Sequence, residues 1–227
     1  MKNYEDLGFS KVDVQREERS GYPEVIFGEG KTPEQIRVIM SILVEKHKKA
    51  MVTRLSREKA EALIKHFPEA RYDDTSSVLL YGNTDYEYPG SVMVMCAGTS
   101  DLPVAEEAAL TAEWMGCPTT KLYDVGVAGI DRLLGHRKEI TEASVLIVVA
   151  GMEGALPSVV GGLVKRPVIA VPTSVGYGTH LQGITPLLSM LTSCSSGMSV
   201  VNIDNGFGAG FQAALILKLA ADIGGNK

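Results

Sequence analysis

The chain has few cysteines, few aromatic residues and no excess of positive charge, and each shortage excludes a class of protein. Its 227 residues include three Cys, one Trp and 6% aromatic residues, and they carry a formal net charge of −5. The three cysteines, Cys96, Cys117 and Cys194, are widely spaced and form neither a disulfide framework nor a CxxC metal motif. The negative net charge argues against a nucleic-acid-binding surface.

The sequence also has no apolar run of the roughly 20 residues that span a membrane, and no signal-peptide pattern. We therefore expect a cytoplasmic protein with reduced thiols and no membrane partner. Hydrophobic residues make up 45% of the chain, which is enough for a packed core.

Two halves of different composition predict two domains. Residues 1–88 are polar and poor in glycine, and we interpret them as a small α+β domain. Within them, Thr32 followed by Pro33 and Gln35 is a capping box that predicts the start of a helix. The turn-rich, aromatic segment 81–90 is the predicted linker.

Residues 89–227 alternate short apolar runs with glycine turns and helical patterns, which is typical of an α/β domain with a parallel sheet and helices on both faces. The predicted strands are Val92–Ala97, Thr119–Val125, Val145–Ala150, Val168–Pro172 and Ser199–Ile203. The predicted helices are Leu102–Met115, Ile130–Arg137, Pro157–Val164, Ile184–Leu191 and Phe207–Ile223. Such sheets bind ligands at the carboxyl ends of their strands, so the loops that follow the strands are the candidate site.

The loop of Gly98, Thr99, Ser100 and Asp101 is the first of these. It joins a buried strand to a helix, and free backbone N–H groups at a helix start attract a phosphate. Ser100 and Asp101 can add contacts to the phosphate and to a sugar hydroxyl. The alternative is that these two side chains only cap the helix.

Three other residues are candidates for chemistry. Glu153 lies between two glycines directly after a buried strand, which suits proton transfer to a ligand; the alternative is a solvated loop carboxylate. Cys194 lies on a polar Ser/Gly loop, where a thiol is either an accessible nucleophile or inert. His180 is either a base or an ordinary surface histidine. We interpret Cys96 and Cys117 as structural residues.

Residues 91–222 resemble the PurE family of aminoimidazole ribonucleotide carboxylases and mutases. The matching segments are Gly98–Asp101, Ala150–Pro157 and Pro167–Pro172. PurE proteins carry a Ser-Ala-His-Arg loop after the second strand, whose histidine is the catalytic acid/base. This chain has Val125–Gly129 there, without a histidine, which counts against the PurE reaction.

Nearly the whole chain is similar to the LarB family, whose carboxyl-terminal domain is PurE-like. The matching segments are Asp13–Arg16, Gly21–Val25, Tyr123–Gly129, Pro172–Gly178 and Ser199–Gly210, of which the last two are specific. LarB proteins begin the synthesis of the nickel-pincer nucleotide cofactor of lactate racemase. They carboxylate nicotinic acid adenine dinucleotide and hydrolyse its phosphoanhydride, giving pyridinium-3,5-biscarboxylic acid mononucleotide and AMP.

The resemblance assigns roles to particular residues. It implies that Cys194 is the nucleophile and Glu153 the active-site acid. The implied substrate-binding residues are Gly98, Thr99, Ser100, Asp101, Asp124, Gly126, Ala128, Gly151 and Gly178. A thiolate added para to the ring nitrogen makes the meta carbon nucleophilic toward CO2, and Glu153 then takes the meta proton as the thiolate leaves. The thiol thus replaces the PurE histidine.

The same resemblance implies CO2 or bicarbonate as co-substrate, Mg²⁺ on the substrate phosphates, and a homo-oligomer, an octamer as in PurE-like domains. The sequence contains no recognisable cluster of metal ligands, so no metal-binding residues are predicted. Two alternatives stay open: a PurE-type carboxylase or mutase, and a non-catalytic nucleotide-binding protein.

Overall fold

The computed structural model describes residues 4–84 and 87–224. Its internal contacts divide the chain into two compact units, Met1–Asp85 and Tyr86–Lys227. This division lies three residues before the one predicted from composition.

The first unit is built on a four-stranded sheet of order β3-β4-β6-β5, in which β3 and β4 are parallel and the other pairs antiparallel. Its elements are β1 (Glu5–Asp6), β2 (Lys11–Val12), α1 (Arg16–Ser20), β3 (Ile26–Phe27), α2 (Pro33–His47), β4 (Ala50–Thr53), α3 (Arg57–Ile64), β5 (Arg71–Asp73) and β6 (Val78–Tyr81). The predicted capping box is present, because the Gln35 N–H donates to the Thr32 hydroxyl and the Gln35 side chain accepts from the Thr32 N–H. The core of the unit forms where α2 and α3 pack on this sheet.

The second unit contains a five-stranded, all-parallel sheet of order β11-β10-β9-β7-β8. Its elements are β7 (Val92–Cys96), α4 (Leu102–Trp114), β8 (Thr119–Leu122), α5 (Ile130–Leu134), α6 (Arg137–Glu142), β9 (Val145–Ala150), α7 (Leu156–Leu163), β10 (Val168–Pro172), α8 (Ile184–Leu191), β11 (Met198–Val200) and α9 (Gly206–Gly224). The α/β class with a parallel sheet, preceded by a small α+β unit, is thus confirmed.

The sheet of this unit is covered on both faces. Met95, Leu146 and Val148 belong to one core cluster, together with residues of α5, α6, α7 and α8. Side chains alternate along a strand, so their neighbours point to the opposite face, where α4 and α9 pack on the strands. The central strand β9 is buried along its whole length, as its unbroken apolar run predicts.

Helices α4 and α9 pack unusually closely because small residues face each other. A Cβ atom placed on Gly210 would lie 2.6 Å from the Ala108 carbonyl oxygen, so only glycine fits there. By length and composition alone α9 could cross a membrane. Its Ala209, Ala213 and Leu217 side chains are buried within the unit, whereas Leu215, Leu219 and Ile223 are exposed.

Several element boundaries differ from the predicted ones. The predicted helix over residues 130–137 is two short helices, α5 and α6, separated at Gly135 and His136. Strand β8 ends at Leu122 rather than Val125, because the backbone turns at Asp124, which has a positive φ of 58°. No pattern in the sequence predicts the short strands β1, β2 and β5.

The first testable prediction concerns the core of the second unit. Leu146 is fully buried in β9, so Leu146→Ala should lower the free energy of unfolding by about 2–5 kcal/mol through loss of apolar contacts and a residual cavity. Urea denaturation measures this change. Leu134→Ala, at a leucine that is 41% exposed, is the matched control and should change stability far less. Equal losses for the two variants would contradict this core assignment.

Candidate active site

A cavity of about 460 Å³ lies at the carboxyl edge of the parallel sheet. It is lined from the loops that follow β7, β8, β9 and β10, so four separate segments of the chain converge on it. Its volume is within the range of roughly 300–1,000 Å³ that is usual for small-molecule sites. This is the position at which open parallel sheets bind ligands.

The Asp101 carboxylate connects three of these loops. One of its oxygens accepts a hydrogen bond from the Gly98 N–H at 3.0 Å, and the other accepts from the Thr173 hydroxyl at 2.7 Å. The backbone of Gly151 donates a further hydrogen bond to it. Asp101 and Thr173 are both buried, so this carboxylate is a fixed part of the cavity wall.

Burial also changes the acidity of this carboxyl. Loss of solvation raises the pKa of Asp101 above its ordinary value, and the hydrogen bonds from Thr173, Gly98 and Gly151 oppose that rise. The nearby Asp204 raises the pKa further by like-charge repulsion. Asp204 is itself held at the same edge, since its side chain accepts from the Ser174 N–H at 2.8 Å.

Close backbone packing explains the glycine after β9. The Met152 N–H donates to the Val175 carbonyl at 2.9 Å, which joins the β9 and β10 loops. A Cβ atom on Gly151 would lie 2.7 Å from the Thr173 hydroxyl, so a side chain there would push the two loops apart. The tight turn that follows places Glu153, an exposed residue, in the cavity lining.

Seven of the residues singled out from the sequence line this cavity, namely Gly98, Ser100, Asp101, Gly126, Ala128, Gly151 and Glu153. Thr99, Asp124 and Gly178 do not line it. Asp124 instead pairs with Arg132, at 2.6 Å between Oδ2 and Nη1. The roles in binding and catalysis given to these residues stay predictions.

Cys194 lies outside the cavity lining. It is exposed on the segment between α8 and β11. The hydroxyl of Ser193 contacts that of Ser158 at 2.7 Å and accepts from the Ser195 N–H at 3.1 Å, which holds this segment alongside α7. The two residues with predicted chemical roles, Cys194 and Glu153, are therefore not lining one cavity within a single chain.

The other two thiols are buried, as their structural interpretation requires. Burial raises the pKa of the Cys96 thiol to about 11 and that of Cys117 to about 12. Both stay protonated near neutral pH and are poor nucleophiles.

The structure adds residues that the sequence analysis did not single out. Thr173 holds Asp101, and Met152, Val175 and Tyr177 line the cavity. Their position directly after β9 and β10 was the available signal, but nothing in their residue types pointed to function. His180 is buried, so its interpretation as an ordinary surface histidine is wrong, and its role as a base stays a prediction.

The residues that the structure describes do not form a metal site of their own. Among the described residues there is no group of three or more His, Cys, Asp or Glu side chains that could hold a metal ion. Mg²⁺ in nucleotide enzymes is often bound by substrate phosphates with one or two carboxylates, a mode that needs no such group.

Two family profiles match the chain. The profile described as LarB/PurE-like N-terminal domain matches residues 4–83, and that described as AIR carboxylase matches residues 91–223. An uncharacterised protein of Methanocaldococcus jannaschii is 48% identical over 218 residues, which cover 92% of this chain and 84% of the relative.

More distant relatives match only the second unit. An N5-carboxyaminoimidazole ribonucleotide mutase of Pyrococcus horikoshii is 33% identical over 134 residues, covering 56% of this chain and 71% of that protein. A crystal structure of Treponema denticola PurE is 25% identical with a TM-score of 0.47, covering 56% of this chain and 80% of that one.

The second prediction tests the bridge between Asp101 and Thr173. Thr173→Val removes a hydroxyl that stabilises the charged carboxylate, so the pKa of Asp101 should rise still further. The variant should lose about 1–3 kcal/mol of stability at neutral pH, because the buried carboxylate loses a hydrogen bond. NMR titration of the carboxyl carbon measures the first effect and urea denaturation the second.

The loss of stability in Thr173→Val should be larger at high pH than at low pH. Above the pKa of Asp101 the missing hydrogen bond weakens the charged form, so the two proteins differ most in stability. As the pH falls through that pKa, Asp101 becomes protonated in the wild type and in the variant, and the difference in stability between the two proteins should shrink. A difference that is constant with pH would contradict the bridge.

Proposed function

Because the chain belongs to the LarB family, with a PurE-like carboxyl-terminal domain, we propose that it is a carboxylase that acts on nicotinic acid adenine dinucleotide. The products would be pyridinium-3,5-biscarboxylic acid mononucleotide and AMP, in the first step of nickel-pincer nucleotide synthesis. The observation that carries the proposal is the cavity at the sheet edge, which combines the glycine turn before α4 with an exposed carboxylate, Glu153.

Binding would use the start of α4. Gly98 and Ser100 line the cavity directly before this helix, so a phosphate there would meet backbone N–H groups and a serine hydroxyl. Asp101 already accepts hydrogen bonds from Gly98 and Thr173, so its main contribution would be to hold the loop in place. The apolar wall, with Val127 and Leu156, suits a planar ring.

The chemistry requires a nucleophile and a base. A thiolate that adds para to the pyridinium nitrogen forms a C–S bond and sends the ring electrons to nitrogen, which gives a dihydropyridine. Its meta carbon then forms a C–C bond to CO2. Glu153 takes the proton from that carbon, and the C–S bond breaks to restore the aromatic ring and release the thiolate. Water then hydrolyses the phosphoanhydride bond, which gives the mononucleotide and AMP.

A PurE-type mutase is the second candidate, favoured by the relative from Pyrococcus horikoshii. PurE chemistry uses a histidine as its acid/base, and no histidine lines this cavity in the described part of the chain. Mg²⁺, if required for hydrolysis, would arrive on the substrate phosphates; no step above depends on it. A cytoplasmic location is part of the proposal.

The position of Cys194 supports a homo-oligomer with shared sites. The thiol is exposed beside α7 and outside the lining of the cavity, whereas the reaction needs it next to Glu153. On the neighbouring helix α8, Ile184, Leu188 and Leu191 form an exposed apolar stripe at helical spacing. A second copy packed on this stripe would cover it with apolar contacts. The cavity of that second copy would then receive Cys194 of the first.

The third prediction tests the reaction. The protein is incubated with nicotinic acid adenine dinucleotide, bicarbonate and Mg²⁺, and mass spectrometry follows AMP and a mononucleotide heavier by one CO2. We expect both products from the wild type and a loss of carboxylated product of about a thousand-fold in Cys194→Ala. Glu153→Gln should slow carboxylation by about 10²–10⁴-fold.

Cys117→Ala is the thiol control, and it should still form both products. Turnover of aminoimidazole ribonucleotide, with none of the dinucleotide, would favour the mutase. Binding of the dinucleotide without turnover would favour a non-catalytic role.

The fourth prediction tests the shared site. Cys194→Ala and Glu153→Gln subunits are unfolded together, refolded in equal amounts and assayed. If the thiol and the carboxylate come from different copies, about one site in four regains both groups by random assortment, so activity returns. If both groups belong to one chain, the mixed oligomers stay inactive.

A cross-link provides a test that does not need activity. Met152 lines the cavity, so Met152→Cys should form a disulfide with Cys194 of another copy on mild oxidation. Denaturing gels without reductant would then show linked chains. Met152→Cys combined with Cys194→Ala is the control and should show only single chains.

A further inference from the structure

We propose that a second cavity, beside the first, binds the adenosine half of the dinucleotide. This inference rests on the proposed function and adds a subsite to it. The second cavity has a volume of about 480 Å³ and is formed by the loop between β10 and α8. The residues that carry the argument are Tyr177, His180, Leu181 and Gln182.

The two cavities share lining residues along one short segment. Gly176 and Tyr177 line both of them. A dinucleotide consists of two nucleosides joined by a flexible pyrophosphate, and each cavity has the volume usual for a ligand of small-molecule size. If the nicotinate mononucleotide occupies the cavity with Glu153, the adenosine half can therefore pass over Tyr177 into the second one.

His180 supplies an unused hydrogen-bond donor at this cavity. Its Nδ1 atom accepts from the Gly183 N–H at 3.2 Å, so the ring proton must lie on Nε2 in the neutral form. The ring is only 5% exposed, and Nε2 has no hydrogen-bond partner among the described residues. A buried donor without a partner is unfavourable, and a purine nitrogen or ribose oxygen would satisfy it.

The other lining residues indicate a nucleoside rather than a free anion. Lysine, arginine, aspartate and glutamate are all absent from the described residues that line it. The Tyr177 ring is 80% exposed and Leu181 is 64% exposed, so both present apolar surface to solvent. A tyrosine ring and a leucine side chain are suitable partners for the flat faces of adenine.

The backbone of the loop is strained at the same place. Leu181 has φ 50° and ψ 49°, and Gln182 has φ 52° and ψ 42°. Two consecutive non-glycine residues in the left-handed region are unfavourable and persist where the surroundings hold them. Here they turn the chain sharply between His180 and Gly183, and Leu181 and Gln182 both line the cavity.

The strain also permits a matched pair of test variants. Aspartate and asparagine both tolerate the left-handed conformation better than leucine, so neither Leu181→Asp nor Leu181→Asn should impair folding. The two side chains have the same shape, but only aspartate places a negative charge beside an adenylate. A difference between them therefore reports on the charge of a bound nucleotide.

The experiment uses the full chain with AMP as the probe, followed by isothermal titration calorimetry. We expect the wild type to bind AMP, Leu181→Asp to bind it about ten-fold more weakly than Leu181→Asn, and Tyr177→Ala to weaken binding about ten-fold. His180→Ala should also bind more weakly, and His180→Asn, which keeps an N–H donor, should recover part of the loss. Phe9→Ala, at an exposed aromatic residue of the first unit, should bind as the wild type does.

Nicotinic acid mononucleotide is the second probe. Its Kd should stay within about two-fold of the wild type in Leu181→Asp and Leu181→Asn, because Leu181 does not line the first cavity. Absence of AMP binding to the wild type, or equal AMP binding by all variants, would overturn the inference. Loss of mononucleotide binding to the same degree would also overturn it, since the two cavities would then not be separate subsites.

The outcome is distinguishable from that of the proposed function. AMP binding that depends on Leu181 and Tyr177, without turnover of nicotinic acid adenine dinucleotide, would support the subsite and refute the reaction. If the protein turns over the dinucleotide but every variant binds AMP as the wild type does, the reaction is supported and the subsite is refuted.

Discussion

The buried Asp101 carboxylate is the interaction on which the candidate site depends. It accepts hydrogen bonds from the loop after β7, the loop after β9 and the loop after β10, through Gly98, Gly151 and Thr173. Loops are the most mobile parts of a domain, and a ligand site made from several of them needs something to hold them together. A carboxylate can do so because it has two oxygens and accepts several hydrogen bonds. Its raised pKa is the cost of placing that group away from water.

The parallel sheet explains why these loops meet at all. All five strands point the same way, so every strand ends at one edge and each following loop begins there. Helices α4 and α9 cover one face at close approach, and α5 to α8 cover the other. With both faces occupied, the carboxyl edge is where backbone groups, a carboxylate and an exposed tyrosine remain accessible to a ligand.

The two residues proposed for the chemistry do not line the same cavity within a single chain. Glu153 is in the cavity, and Cys194 is on the surface beside α7. The proposed reaction thus links catalysis to assembly, because the thiol would come from another copy. The loop from Thr173 to Gly183 has two functions in this proposal. Its first residues hold Asp101, and its later residues, strained at Leu181 and Gln182, form the adenosine subsite.

Local signals in the sequence were sufficient for most of the fold. The apolar runs predicted strands β9 and β10 with their observed bounds, and the Thr32 capping box predicted the start of α2, because these signals depend on neighbouring residues only. Strands β1, β2 and β5 are two or three residues long and partly exposed, so they carry no periodicity to detect. The sequence did not reveal the break between α5 and α6, because a single glycine such as Gly135 is also tolerated inside a helix.

By itself, therefore, the sequence determined the α/β class, the loops that contain the site and the identity of Glu153 and Cys194 as candidates. Only the tertiary structure decided that Asp101 is buried and bonded to Thr173, 72 residues away along the chain. The same holds for the burial of His180 and for the separation of Cys194 from the cavity. The physical reason is that hydrogen bonding and burial of this kind depend on contacts between distant segments, and residue type and spacing do not specify which segments meet.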